Sequence, residues 1–132
     1  MRRDTELTRL VIGEAIQIHR SLCPGLFESA YEEILFRRLG RRGVHVERQL
    51  VIPFDYEGER LSLGFRIDLL VEKELVVEIK SVERPSPIHQ RQLLTYLRLM
   101  NLPLGLLINF GMDTLTAGLD RVTNFDCRPK GP

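Results

Sequence analysis

Two apolar strand patterns carrying Asp68, Glu78 and Lys80 constrain this chain more than any other feature. From Leu61 to Val71, Leu61, Leu63, Phe65, Ile67, Leu69 and Val71 alternate with Ser62, Gly64, Arg66, Asp68 and Leu70. This predicts a strand with one apolar face. In the next run, Leu75 to Lys80, Leu75, Val77 and Ile79 alternate with Val76, Glu78 and Lys80. If Glu72-Lys73-Glu74 forms the loop between them, Val71 pairs with Leu75 and Asp68 stands across from Glu78. Their Cβ atoms would then lie about 4.5–5.5 Å apart. A two-residue loop would send the acids to opposite faces.

Like charges directly opposite on a sheet repel. Two readings remain for the pair. Either both carboxylates are solvated on an open face with Arg66 and Lys80 nearby, or they share a hard divalent cation such as magnesium or manganese.

Ahead of this hairpin, Leu7, Leu10, Val11, Ala15 and Ile18 recur at helical spacing, with Asp4 or Thr5 as cap and an end near Leu22. Cys23-Pro24-Gly25 breaks the pattern. A second helix is expected from about Leu26 to Arg42, stopped by Gly43. It should bury Phe27, Ala30, Tyr31, Ile34, Leu35 and Leu39. Glu28 shares the azimuth of Leu35 and Leu39. It is either a bound carboxylate on an apolar arc or a first-turn acid favoured by the helix dipole. Glu32 and Glu33 read as solvated. Arg37, Arg38, Arg41 and Arg42 suit the helix end, with a phosphate-tracking patch as the alternative.

Val44 to Phe54 reads as a strand and Asp55 to Glu59 as a turn, giving an antiparallel three-strand meander. After Lys80, Ser86 and Pro87 open a helix running to about Met100. It has one row of Leu93, Leu97 and Met100 and a second of Ile88, Gln92, Tyr96 and Leu99. Leu104 to Phe110 reads as a buried strand reached by a crossover, and Leu115 to Asn124 as an edge strand. One domain is expected over 1–132, with a core of about 5–124 and a tail of 125–132.

The net charge of +1 argues neither for nor against a nucleic-acid partner. Cys23 and Cys127 are far apart and outside any metal-ligand spacing, so no disulfide framework or zinc site is indicated. The N-terminus is charged rather than apolar, and a cytoplasmic protein is expected.

In their order, these motifs resemble the PD-(D/E)XK nuclease superfamily. They are more closely similar to the small GxxExxY proteins. The matching residues are Gly25-Leu26-Phe27-Glu28-Ser29-Ala30-Tyr31, Asp68 to Val71, Glu78-Ile79-Lys80, His89 to Leu97, and Gly105 to Gly111. Ile67 stands where proline often precedes the aspartate. The resemblance implies an α/β, restriction-endonuclease-like core: a mixed β-sheet of the antiparallel meander plus a crossover strand, flanked by α-helices. It further implies that Glu28, Asp68, Glu78 and the Ile79 carbonyl hold Mg2+ or Mn2+, with Lys80 as catalytic lysine. Gln92 and Tyr96 match a pair in the RecB-like nuclease branch. Arg66 and Arg91 are expected backbone contacts. The expected activity is metal-dependent hydrolysis of phosphodiesters, DNA by analogy, with a homodimer as one way to address two strands. The competing expectation is a catalytically silent module that binds nucleic acid or protein.

Overall fold

Each long apolar pattern forms the expected element. The computed structural model describes residues 2–125; the tail from Asp126 onward, including Cys127, lies outside them, as do the side chains of Arg2, Arg3, Asp4, Thr5, Ser62 and Leu63. Helices α1 (Arg2–Leu22) and α2 (Glu28–Arg41) precede strands β1 (Val46–Tyr56), β2 (Glu59–Val71) and β3 (Leu75–Lys80). Helix α3 (Pro87–Met100), β4 (Leu104–Asn109), a short 3-10 turn and β5 (Leu119–Thr123) follow. The strands form one five-stranded sheet in the order β1-β2-β3-β4-β5. All neighbours are antiparallel except β3 and β4, which α3 connects in parallel.

Burial sorts the chain into three layers. Val11, Ala15 and Ile18 of α1 join Tyr31, Leu35 and Leu39 of α2 against Leu69, Val77, Ile79, Leu106 and Ile108. On the other face Leu93 and Leu97 of α3 cover Ile67, Leu70, Val76 and Leu107. Tyr31 stacks on Phe110 with ring centroids 4.4 Å apart, and its hydroxyl donates to the Cys23 carbonyl. That contact fixes the break between α1 and α2. Ser86 caps α3 and Pro87 follows it, as expected; Asn101, at φ 54°, ends it.

The hairpin register is the expected one: Val71 pairs with Leu75, Leu70 with Val76 and Leu69 with Val77. Glu72 and Lys73 take positive φ to close the three-residue loop. The uniform apolar face of β2 is corrected, however. Leu69 and Val71 face α1 and α2, while Phe65 and Ile67 face α3. The strand turns over at Asp68. On β1, Arg48 pairs with Leu69 and Leu50 with Ile67, leaving Gln49, at φ 51°, opposite Asp68. A left-handed residue breaks the alternation of side chains that an extended strand imposes.

Four smaller expectations are also corrected. Phe27 is 85% exposed, because α2 begins after it. Glu32 is buried rather than solvated, because Arg48 and Gln49 satisfy it. Ile88, Gln92 and Leu99 of the second α3 row are exposed, since that row runs along the rim of the layer. The β1–β2 turn narrows to Glu57-Gly58, both at positive φ, as a two-residue hairpin requires.

Beyond Lys80 the chain is held by a buried amide. Asn109 Oδ1 accepts from the Val82 and Gly111 N–H groups, and Nδ2 donates to the Val82 carbonyl. Replacing Asn109 by Ala leaves three backbone groups without this partner. We expect a loss of about 1–3 kcal/mol, read as a lower urea midpoint with an unchanged slope.

Candidate active site

The site is built where β3 parts from β2. Regular pairing stops at Leu69 and Val77, and side chains take over the ladder's role. The Asp68 N–H donates to Glu78 Oε2 at 2.8 Å. The Ile79 N–H donates to Asp68 Oδ2, also at 2.8 Å. Each carboxylate thus satisfies a backbone donor next to the other acid. This crossed pair holds the two acids side by side.

Glu78 is 6% exposed and its pKa is pushed up from 4.5 to about 8. Burial is the main cause and the Asp68 charge the second, with Glu32 adding a little. The Asp68 N–H and the Lys80 ammonium act the other way. Lys80 follows Glu78 by two residues and is half-buried. From the α3 side Tyr96 stacks on Phe65 at 4.4 Å. Its phenol pKa is raised by burial and then by the charges of Glu78 and Asp68, so the hydroxyl keeps its proton.

The other expected residues are more open. Glu28 is exposed on the first turn of α2 and lines a hollow of about 420 Å³ with Leu26, Phe27, Ser29 and Ser81. Ser81 directly follows Lys80, so this hollow borders the end of β3. Gln92 lies on the exposed side of α3, one turn before Tyr96, and Arg66 and Arg91 are exposed. The structure therefore joins Asp68 to Glu78, sets Lys80 and Tyr96 within electrostatic reach of them, and leaves Glu28 and Gln92 exposed.

Two participants were not anticipated. Gln49 Nε2 donates to Asp68 Oδ1 at 3.2 Å and to Glu32 Oε1 at 2.6 Å. Glu32 Oε2 accepts from Arg48 Nε at 2.6 Å. Glu32 precedes Leu35 by three and Leu39 by seven, a spacing that puts it on the buried arc. That signal was available. The left-handed turn at Gln49 has no such signature.

The chain matches the sequence profile of the PD-(D/E)XK nuclease superfamily over residues 5–122. It belongs to that superfamily. No curated protein matches it. Among solved structures it is similar to one titled "Crystal structure of SSO0001", at 16% identity and a TM-score of 0.49, over 88% of this chain and 76% of the other.

Superfamily membership brings the question of a divalent metal, and the donor set fits one. The pair offers hard oxygen ligands, and magnesium is commonly held by one or two carboxylates with waters and phosphate completing its shell. A cation would also offset the burial and the Asp68 charge that together keep Glu78 protonated. Among the described residues no group of three or more His, Cys, Asp or Glu side chains is gathered closely enough to hold a metal by itself.

The raised Glu78 pKa fixes a pH dependence. Between about 4.5 and 8 the folded protein holds a proton that the unfolded chain has released. Its contribution to stability is full below the lower value and drains away as pH rises to the upper one. In EDTA, stability should fall by on the order of a few kcal/mol across this window. Urea titrations at pH 5, 6.5 and 8 would read it, and Glu78→Gln should flatten the fall.

Proposed function

We propose that this protein is a magnesium- or manganese-dependent phosphodiesterase acting on nucleic acid, with DNA as the substrate by analogy with its superfamily. The observation that carries the reading is the crossed Asp68–Glu78 pair, with Glu78 kept protonated until something replaces the proton. Within the superfamily we assign the chain to the GxxExxY proteins and the RecB-like branch. The basis is the Gly25 to Tyr31 motif and the Gln92–Tyr96 spacing. No helix among the described residues is long and apolar enough to cross a membrane, and a cytoplasmic setting is part of this proposal.

Asp68, Glu78 and the Ile79 carbonyl would hold the ion, with Glu28 closing over it from the exposed start of α2. When bound, the ion polarises the scissile phosphate and acidifies a water. The Lys80 ammonium steadies the negative charge that develops on the phosphorus oxygens. The protonated Tyr96 hydroxyl and the Gln92 amide donate hydrogen bonds that orient the phosphate. Arg66 and Arg91 contact the sugar–phosphate backbone and carry no sequence information there. Two copies of the chain would supply one such site for each strand of a duplex.

The test is cleavage of linear, supercoiled and single-stranded DNA, and of RNA, by purified protein with Mg2+, Mn2+ or EDTA. We expect metal-dependent cleavage that drops at least about 100-fold in Asp68→Ala and in Lys80→Ala. Glu28→Gln should weaken the response to metal. Cleavage persisting in both Asp68→Ala and Lys80→Ala would refute the assignment. Wild-type protein that binds Mn2+ and cuts nothing would make this a nucleic-acid-binding or protein-interaction domain without turnover.

A further inference from the structure

Gln49 takes a left-handed backbone in the middle of a strand, away from any turn. Asn, Asp and Gly visit that region readily, but a glutamine there is uncommon. Such a conformation persists where surrounding contacts over-determine it, and it clusters at functional sites. Here the contacts are specific. Arg48 and Gln49 are neighbours on a strand, and regular alternation would send them to opposite faces. Yet both hydrogen-bond to one carboxylate, that of Glu32. The left-handed turn is what lets consecutive side chains converge on it.

The convergence builds a relay from the helix layer to the site. Glu32 is 4% exposed and is held by Arg48, whose guanidinium carbon lies 5.8 Å from the Phe36 ring centroid. Gln49 rests on Glu32 and donates its remaining amide proton to Asp68 Oδ1. An amide NH2 has two protons. Both are engaged by carboxylates, which fixes the orientation of the group. Asp68 is consequently gripped from two sides, by the Ile79 N–H and by Gln49.

We propose that Gln49, seated on Glu32, is a positioning residue that sets the direction of the Asp68 carboxylate toward the cation. This rests on the metal-dependent reading above. The choice of an amide has a physical reason. A carboxylate at this position would add a third negative charge between Asp68 and Glu32. A lysine would pair with Asp68 and compete with the cation for its charge. An amide directs the oxygen and leaves the full charge available to a metal.

The experiment separates backbone from side chain. Gln49→Gly keeps the left-handed conformation without strain and removes only the amide. We expect a folded protein whose melting temperature in EDTA is no more than modestly lower than that of wild type, since relief of the left-handed backbone offsets part of the loss of Glu32's second partner. We also expect Mn2+ affinity, measured by calorimetry without substrate, to fall about 10- to 100-fold. Gln49→Asn, which tolerates the same backbone but is one methylene shorter, should lie between. Glu32→Gln, which keeps shape and weakens the seat, should lower Mn2+ affinity in the same direction and covers the case that Gln49→Gly does not fold. Wild-type Mn2+ affinity in both Gln49→Gly and Glu32→Gln would overturn the proposal. If wild type neither binds Mn2+ nor cleaves, the metal-dependent reading fails instead. The crystal structure of Gln49→Gly then decides: an unmoved Asp68 carboxylate refutes positioning, and one turned off the Ile79 N–H supports it.

Discussion

The crossed hydrogen bonds between Asp68 and Glu78 are the constraint on which this structure depends. A sheet that parts leaves unpaired N–H groups, and buried unpaired donors are costly. Here the two donors left by the parting strands are satisfied by the two acids themselves, Asp68 N–H by Glu78 and Ile79 N–H by Asp68. The same contacts therefore end the β2–β3 pairing and fix the acids side by side. Neither acid could be replaced by an apolar residue without leaving a backbone group unsatisfied, so the site and the local fold have a common cause.

The layers on either side supply what that junction lacks. From α2 comes a neutralised acid, Glu32 held by Arg48, that braces Gln49. From α3 comes Tyr96, oriented by its stack on Phe65. Below, Asn109 ties the chain after Lys80 to the end of β4, where Lys80 and Asn109 are register partners. The face change at Asp68 matters for this arrangement. Because β2 turns over there, the aspartate is reached by Gln49 from the α2 side while Phe65, three residues earlier, carries Tyr96 on the α3 side.

Period and turn chemistry made the architecture legible. The alternation of Leu75, Val77 and Ile79 and the length of the Glu72-Lys73-Glu74 loop were sufficient to place Asp68 opposite Glu78. Ser86-Pro87 and the apolar run from Leu104 marked the crossover. What failed did so for local reasons. Period-two reasoning assumes an unbroken strand, and nothing in Arg48-Gln49-Leu50 announces a left-handed residue. The charge of Glu32 argues for solvent, whereas its spacing to Leu35 and Leu39 sets it on the buried arc, and position prevails because Arg48 and Gln49 satisfy it. Phe27 is the opposite case, an apolar residue left exposed because α2 starts one residue later.

The charges around the site do not balance, and the proton on Glu78 makes up the difference. Glu32 is matched by Arg48, so it disturbs the site little. Asp68 and Glu78 remain, facing one nearby cation, Lys80, whose pull on Glu78 is weaker than the combined effect of burial and Asp68. One negative charge is therefore in excess. Without metal the excess is removed by protonating Glu78, the more buried of the two acids. On the proposed reading, a cation between the carboxylates would do the same work with two charges and would leave Lys80 free to meet a phosphate. Proton and metal would then compete for one position, and the burial that makes Glu78 costly to ionise would also make a bound cation's charge effective on whatever lies against it.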